Sequence, residues 1–92
     1  MHLVSDSTGE TLAAIAKAVG VQYPNVRAIE HMHALVRTQR QLKRVLGAVE
    51  KEPGIVLYTV VNKALGEELE QYCKELKVPC HAVLQPIMQI FE

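Results

Sequence analysis

Residues 55–61 form an apolar segment, IVLYTVV, which is rich in β-branched side chains and shows no polar alternation. A strand that is solvated on one face alternates polar and apolar residues, so this run indicates a strand covered on both faces. Strands of that kind occur almost only in parallel sheets whose two faces carry helices. The segment therefore limits the chain to an α/β fold more strongly than any other feature.

Three segments with helical periodicity accompany this strand. In chain order, their apolar faces consist of Leu12, Ile15, Ala16 and Val19, then Leu42, Val45, Leu46 and Val49, then Leu65, Leu69, Tyr72, Cys73 and Leu76. Gly20 is a natural end for the first helix. Thr38 followed by Gln41 predicts a capping box for the second, which Pro53-Gly54 ends. Asn62 is the expected cap of the third helix.

Four strands are predicted around these helices, at residues 2–5, 26–32, 55–61 and 80–84. The second has the weakest pattern, because Arg27 and Glu30 interrupt it. Strands that alternate with helices imply right-handed crossovers and parallel pairing. We expect an α/β fold with an open parallel sheet of four strands and helices on both faces. The expected architecture is Rossmann-like or flavodoxin-like, with strand order 2-1-3-4.

The 92 residues are enough for one domain, and the ten basic side chains balance ten acidic ones. Because of this balance, the chain has no overall electrostatic field that would favour binding to nucleic acid or to a membrane surface. The chain has no apolar run of about 20 residues and no basic, then apolar, signal segment at its start. Two cysteines, Cys73 and Cys80, are too few for a disulfide framework, although one bond between them stays an alternative. We expect a cytoplasmic protein with a single domain at residues 1–92.

The last residues form an apolar stripe without an evident partner. Ile87, Ile90 and Phe91 follow Pro86 at helical spacing, and the sequence stops at Glu92. A helix of two turns with an exposed apolar face expects something to cover it. The pattern favours an amino-terminal fragment of a longer protein, or a tail that docks on a second copy in a homodimer.

The loop after the first strand is the best candidate for a functional site. Ligands of open parallel sheets bind beyond the carboxyl ends of the strands, beside the switch point, which order 2-1-3-4 puts next to strand one. Amides and hydroxyls there lead into a helix amino terminus, which attracts anions. The candidate phosphate-binding or substrate-binding residues are Ser5, Asp6, Ser7, Thr8, Gly9, Glu10 and Thr11. The structural alternative is a Ser7–Glu10 capping box that needs no ligand.

Asp6 is the candidate catalytic residue and the only aspartate of the chain. A carboxylate at the end of strand one would repel a tightly held phosphate monoester. It would suit a magnesium ion, a general base or a hydrogen bond to a hydroxyl group. An Asx turn that shapes the bend is the structural alternative.

Two further groups are weaker candidates. His31 and His33 lie two apart on one face of the second strand, where one could reach the ligand cleft. A third zinc ligand is not evident, so no metal site is predicted. Arg37 is the best placed of four cations near the start of helix two, Arg37, Arg40, Lys43 and Arg44. They suit an acidic or phosphorylated partner, or a solvated face balanced by Glu67, Glu68, Glu70 and Glu75 of helix three.

The opening HLVSDSTGET, residues 2–11, resembles the start of the pyruvate, phosphate dikinase regulatory proteins and the related phosphoenolpyruvate synthase regulatory proteins. Weaker similarities are LVRT at residues 35–38, PGIVLYT at 53–59 and VPC at 78–80. The resemblance covers nearly the whole chain. Only the opening motif is specific, and it is the only part from which site residues carry over.

The resemblance implies a bifunctional transferase. Such proteins phosphorylate a threonine of the dikinase with ADP and remove the phosphate by phosphorolysis, with inorganic phosphate as acceptor and pyrophosphate as product. The family is about three times longer, and its nucleotide-binding loop lies in the later half. No G-x-G-x-x-G or G-x-x-x-x-G-K-[ST] motif occurs here. The fragment is therefore expected to be inactive alone and to hold no ADP or phosphate by itself.

The partners that the resemblance implies are the dikinase or the synthase, and the family's carboxyl-terminal domain. Two other classes of function stay open from the residues. One is a stand-alone binding or dimerisation module, which the unpartnered carboxyl-terminal stripe favours. The other is a small flavodoxin-like domain that binds a phosphate ligand, which the loop composition favours.

Overall fold

A computed structural model describes residues 1–26 and 29–91 of the chain. In chain order, the elements are β1 (His2–Val4), α1 (Glu10–Val21), β2 (His31–His33), α2 (Gln39–Lys51), β3 (Val56–Tyr58), α3 (Lys63–Leu76), β4 (Cys80–Ala82) and α4 (Gln85–Ile90). The strands pair in parallel in the order β2-β1-β3-β4. This arrangement confirms the predicted fold class, strand order and alternation of strands with helices.

The strands are shorter than the sequence predicted. β1 has three residues and pairs with β2 on one side and β3 on the other, so that His2 lies opposite both His31 and Val56. Each of the three strand pairs contains three residue pairs, so every strand has only three residues. The predicted limits 2–5, 26–32, 55–61 and 80–84 were therefore wrong. Of the predicted second strand, Arg27 and Ala28 lie outside the described residues.

The two faces of the sheet are covered unequally. Helices α2 and α3 cover one face with a large core cluster, formed by Val4, Val36, Leu42, Val45, Leu46, Val49, Val56, Tyr58, Val60, Leu65, Leu69 and Cys73. On the other face, the buried cluster consists of Leu3 from β1 and Leu12 and Ala16 from α1. Helices thus lie on both faces, as predicted, but most of the buried apolar surface lies on the side of α2 and α3.

The predicted caps of α2 and α3 are confirmed. Gln41 N donates to Thr38 Oγ1 at 3.2 Å, and Gln41 Oε1 accepts from Thr38 N at 3.1 Å, which completes the capping box. Asn62 Oδ1 accepts from Leu65 N at 3.1 Å. Gly20, in contrast, does not end α1, which continues to Val21 because Gly20 keeps a helical backbone.

The ends of the apolar faces differ from the predictions in their burial. Val19 was predicted on the buried face of the first helix but is 50 % exposed, since it lies beyond the part of α1 that contacts β1. In and next to α4, Ile87, Ile90 and Phe91 are 54 %, 81 % and 87 % exposed. The predicted apolar stripe is therefore uncovered within residues 1–26 and 29–91. No helix in these ranges has the length and hydropathy needed to cross a membrane.

The two cysteines are free thiols at the junction of α3 and β4. Cys73 is buried, and burial raises the pKa of its thiol. Burial and the neighbouring Cys73 raise the pKa of Cys80 to about 12. Both groups are therefore protonated near neutral pH, which makes them poor nucleophiles.

Gly47, in the middle of α2, offers a test of this helix. No atom lies within 4 Å of the β-carbon that alanine would add there. Gly47→Ala should raise the free energy of unfolding by about 0.5–1 kcal/mol, because alanine loses less conformational freedom in a helix. Urea unfolding of this chain measures the change.

Gly66→Ala in α3 is the matched control, since its added β-carbon would lie 3.4 Å from Cε2 of Tyr58. This close contact should remove part or all of the increase in the free energy of unfolding that alanine brings to a helix. A Gly47→Ala variant no more stable than Gly66→Ala would contradict the placement of Gly47 on an open helix face.

Candidate functional site

The loop between β1 and α1 is fixed to both neighbouring strands at the carboxyl edge of the sheet. Ser5 N donates to the carbonyl oxygen of His33 at 2.9 Å, and the carbonyl oxygen of Ser5 accepts from Val36 N at 2.9 Å. On the other side, Thr59 N donates to the carbonyl oxygen of Val4 at 2.9 Å. The loop therefore starts from a rigid position beside the switch point, where ligands of such sheets bind.

Ser5 is a buried centre of hydrogen bonds beneath the loop. Its Oγ accepts from Ser7 N at 3.1 Å and from Thr59 Oγ1 at 3.3 Å, and lies 3.2 Å from Ser7 Oγ. The side chain is 1 % exposed, so these contacts shape the turn rather than face solvent. Thr59 was missed as a member of the site. Its hydroxyl inside the strongest predicted strand, residues 55–61, which lies next to strand one in the predicted order, was the available signal.

Asp6 joins the loop to two other parts of the carboxyl edge. Its Oδ2 accepts from Val61 N at 3.0 Å, just beyond β3. Its carbonyl oxygen accepts from Arg37 Nε at 2.8 Å, in the segment between β2 and α2. The structure thus brings Asp6 and Arg37 together, as candidates from separate parts of the sequence. The carboxylate makes a long-range bond that holds the end of β3.

The start of α1 differs from the predicted capping box. The cap residue is Gly9, with φ at 86°, and no side chain caps the helix among the described residues. Glu10 is the first helical residue, while Ser7 lies two residues before the cap with its hydroxyl next to Ser5. The Ser7–Glu10 capping box was therefore wrong, because the helix starts later than the pattern suggested.

The uncapped first turn leaves backbone N–H groups available to an anion. The first four amides of a helix have no partner within it, and the helix dipole favours negative charge there. Ser7, Thr8 and Thr11 are exposed around this turn, and Arg37 is exposed beside it. Hydroxyls, amides and a guanidinium are donors that suit phosphate oxygens. Glu10 is also exposed, and its carboxylate and that of Asp6 are the described groups here that oppose an anion.

Gly9 is the closest point between the loop and β2. A β-carbon at this position would lie 2.5 Å from Sδ of Met32, and the left-handed φ disfavours side chains as well. The left-handed φ therefore favours glycine at the start of α1, while the end of the flexible Met32 side chain, which is 40 % exposed, fills the space beside it.

His31 and His33 meet a third histidine that the sequence did not suggest. His2 Nδ1 lies 3.0 Å from His33 Nε2, and the His2 ring stacks on both other rings with centroids 5.0 and 5.3 Å away. His2 Nε2 donates to the carbonyl oxygen of Glu52 at 2.8 Å, since a carbonyl can only accept. His31 Nε2 lies 2.7 Å from Glu52 Oε2.

This histidine cluster holds β1 and β2 against the end of α2. In neutral His2, the proton on Nε2 leaves Nδ1 to accept from His33 Nε2. The parallel register, which places His2 opposite His31, could have revealed the cluster. Within residues 1–26 and 29–91, no group of three or more His, Cys, Asp or Glu side chains has a geometry that could hold a metal ion.

The four cations near the start of α2 are exposed. Among the described residues, none of them pairs with a carboxylate of α3. The polar contacts between these two helices are Gln39 Nε2 to Glu68 Oε2 at 3.4 Å and Tyr72 Oη to Glu50 Oε2 at 2.8 Å. The predicted balance by the glutamates of helix three is therefore not made through ion pairs. Of this group, Arg37 alone hydrogen-bonds to the loop.

Replacement of Gly9 tests the geometry at the start of α1. Gly9→Ala should lower the free energy of unfolding by about 1–2 kcal/mol, because alanine is strained in the left-handed backbone conformation of this position. Gly20→Ala is the control in the same helix, because open space surrounds its added β-carbon. Urea unfolding of the two variants should give opposite signs, and equal stabilities would contradict the described loop.

His33 gives the fold a pH dependence. Burial, and the charges of His2 and His31, lower the pKa of His33 from its ordinary value of 6.5. At acidic pH, the unfolded chain then binds more protons than the folded one. The free energy of unfolding therefore keeps its full value above pH about 6.5 and falls as the pH drops below it. Because the ring is half-buried, the slope should be only a fraction of the roughly 1.4 kcal/mol per pH unit of one fully linked proton.

Urea unfolding between pH 7.5 and 5.5 measures this dependence. His33→Gln should flatten the profile relative to the unsubstituted chain. His81→Gln is the control, because His81 is an exposed histidine of β4 outside the cluster. A profile that His33→Gln leaves unchanged would contradict the role of His33.

Comparison with known proteins assigns this chain to a family. The family model described as Kinase/pyrophosphorylase matches residues 1–92. A relative from Bradyrhizobium diazoefficiens is 53 % identical over 92 residues, one from Nitrobacter hamburgensis 52 % and one from a Chelativorans species 47 %. All three are named as pyruvate, phosphate dikinase regulatory proteins.

These matches cover the whole of this chain but only 33 %, 33 % and 34 % of the respective relatives. The chain thus spans about a third of the length of the curated relatives it matches. Since the family model and the three relatives match all 92 residues of this chain, the chain belongs to the Kinase/pyrophosphorylase family.

Proposed function

We propose that this chain is the amino-terminal domain of a bifunctional regulator of pyruvate, phosphate dikinase or of phosphoenolpyruvate synthase. The regulator phosphorylates a threonine of its target with ADP and removes that phosphate by phosphorolysis. Membership of the Kinase/pyrophosphorylase family and the names of the relatives support the class of activity. We place this activity in the cytoplasm.

The observation that carries the proposal is the uncapped amino end of α1 at the switch point of the sheet. Exposed hydroxyls of Ser7, Thr8 and Thr11 surround it, and the Arg37 guanidinium is held beside it by the carbonyl oxygen of Asp6. Both reactions move a phosphoryl group. A set of N–H and O–H donors at a helix terminus is suited to hold the phosphate of phosphothreonine, or inorganic phosphate as the attacking group.

Asp6 has a second role in this proposal. Its Oδ2 is engaged with Val61 N, so the carboxylate is oriented at the edge of the cleft. In the kinase direction, a carboxylate there can accept the proton of the target threonine hydroxyl as a general base. In phosphorolysis, inorganic phosphate attacks the phosphorus and pyrophosphate forms as the bond to the threonine oxygen breaks, and the protonated Asp6 carboxyl group can donate a proton to that leaving oxygen. Its negative charge also keeps the loop from binding phosphate too tightly.

ADP is assigned to a different part of the protein. The chain has no glycine-rich nucleotide motif, and its loop carries a carboxylate where a phosphate chain would lie. We therefore place the ADP-binding residues in the part of the relatives that this chain does not span. In this arrangement, residues 5–11 contribute the side of the cleft that faces the target.

A chimera tests the proposal, with this chain in place of the matching third of the Bradyrhizobium diazoefficiens relative. Two assays are run on pyruvate, phosphate dikinase and on phosphoenolpyruvate synthase. ADP-dependent phosphorylation of the target is measured by the release of AMP. Phosphate-dependent dephosphorylation is measured by the release of pyrophosphate. Thr8→Ala should lower kcat/KM by about tenfold or more, the cost of one charge-assisted hydrogen bond. Asp6→Asn should lower kcat in the kinase direction more than it changes KM.

Thr8→Ser is the matched control, because it keeps the hydroxyl and should retain most of both activities. Urea unfolding of each variant separates a loss of activity from a loss of fold. If Thr8→Ala and Asp6→Asn both leave the two reactions unchanged, the loop has no role in them. If the unsubstituted chimera lacks both reactions on both targets while it remains folded, the assigned activity is wrong.

A further inference from the structure

The sheet has an open face, which we define as the part of its α1 side formed by Ile55, Leu57, His81 and Val83. Ile55 is 49 % exposed, Leu57 and Val83 are half-buried, and His81 is exposed. Helix α1 packs its buried residues on Leu3 of β1, and Leu57 and Val83 only border that cluster. The β3–β4 half of this side therefore lacks a helical cover among the described residues.

The outer edge of β4 is open in the same region. Among the described strands, β4 pairs with β3 alone. Val83 N donates to the carbonyl oxygen of Tyr58 at 3.0 Å, which directs the amides of His81 and Val83 toward β3. Because alternate amides of a strand face opposite sides, the N–H of Ala82 points away from the sheet. An open edge next to an open face is a position where a sheet can be extended.

The fold class indicates which elements would cover the open face and the open edge of β4. Parallel sheets occur almost only with both faces covered. In the doubly wound order 2-1-3-4-5, a fifth parallel strand lies beside strand four. A parallel strand there must be reached through a right-handed crossover, normally a helix. Helix α4 starts at Gln85, directly after β4, and none of its described residues is buried.

We propose that polypeptide from the part of the relatives that this chain does not span adds a parallel strand beside β4 and packs a helix on the open face next to α1. The relatives are about three times as long as this chain, so they contain enough residues for both elements. The apolar side chains of the open face define the occupant as an amphipathic helix with its apolar side toward Leu57 and Val83. This inference rests on family membership and not on the proposed chemistry.

Amide hydrogen exchange tests the added strand at single residues. The Ala82 amide should exchange quickly in the 92-residue chain and at least a hundredfold more slowly in the chimera described above, each measured by NMR. The Val83 amide is the internal control, since its bond to Tyr58 protects it in both. Equal exchange of Ala82 in both proteins would overturn the added strand. Protection in the 92-residue chain that disappears on dilution would show a second copy as the occupant, and would also overturn the proposal.

A substitution tests the covering helix. His81→Glu puts a charge on the open face at a side chain that is exposed in this chain, so it should leave the unfolding of the 92-residue chain unchanged. In the chimera, it should raise Ala82 exchange at least tenfold. Gln71→Glu adds the same charge on the exposed side of α3 and should change neither the unfolding of the 92-residue chain nor the Ala82 exchange of the chimera. If His81→Glu behaves like Gln71→Glu in the chimera, nothing packs on the open face. Since the readout is amide exchange, a chimera that is inactive in phosphoryl transfer still decides the question.

Discussion

The pairing of β1 on both of its sides is the constraint on which the rest of the structure depends. β1 lies between β2 and β3, and its three residues align both neighbours through one register. The bonds of Ser5 to His33 and Val36 then fix where the chain leaves the sheet. All later positions at the carboxyl edge, including the start of α1 and the placement of Arg37, follow from that exit point.

Some polar groups of the candidate site hold the loop to the sheet, and the others face solvent. Ser5 and one oxygen of Asp6 are used to hold the loop to β3, while Thr8 and the first amides of α1 face solvent. Such a division would make the proposed anion site preorganised, because the donors would need no rearrangement when an anion arrives.

Features that depend on local chemistry were predictable from the sequence. The alternation of strands with helices, the buried residues of α2 and the caps at Thr38 and Asn62 follow from periodicity and from hydrogen bonds between near neighbours. The cap at Gly9 was not predicted, because the Ser7–Glu10 pattern suggested an earlier start of the helix. The strand lengths, the role of Thr59 and the partnership of His2 with His33 depend on residues far apart in the chain. Sequence patterns carry little information about such contacts, which the sheet creates only when it assembles.

The short, central β1 has a consequence for the order of folding. Ser5 and Thr59, which meet under the loop, are separated by 54 positions, so their contact requires the closure of a long segment of chain. The β3-α3-β4 unit needs much shorter closures and can form first. During synthesis, β1 leaves the ribosome before β2 and β3, and it is paired on both sides only after β3 is in place. We expect the loop at residues 5–9 to become ordered in the same step that completes the sheet, so that the proposed anion site exists only in the finished domain.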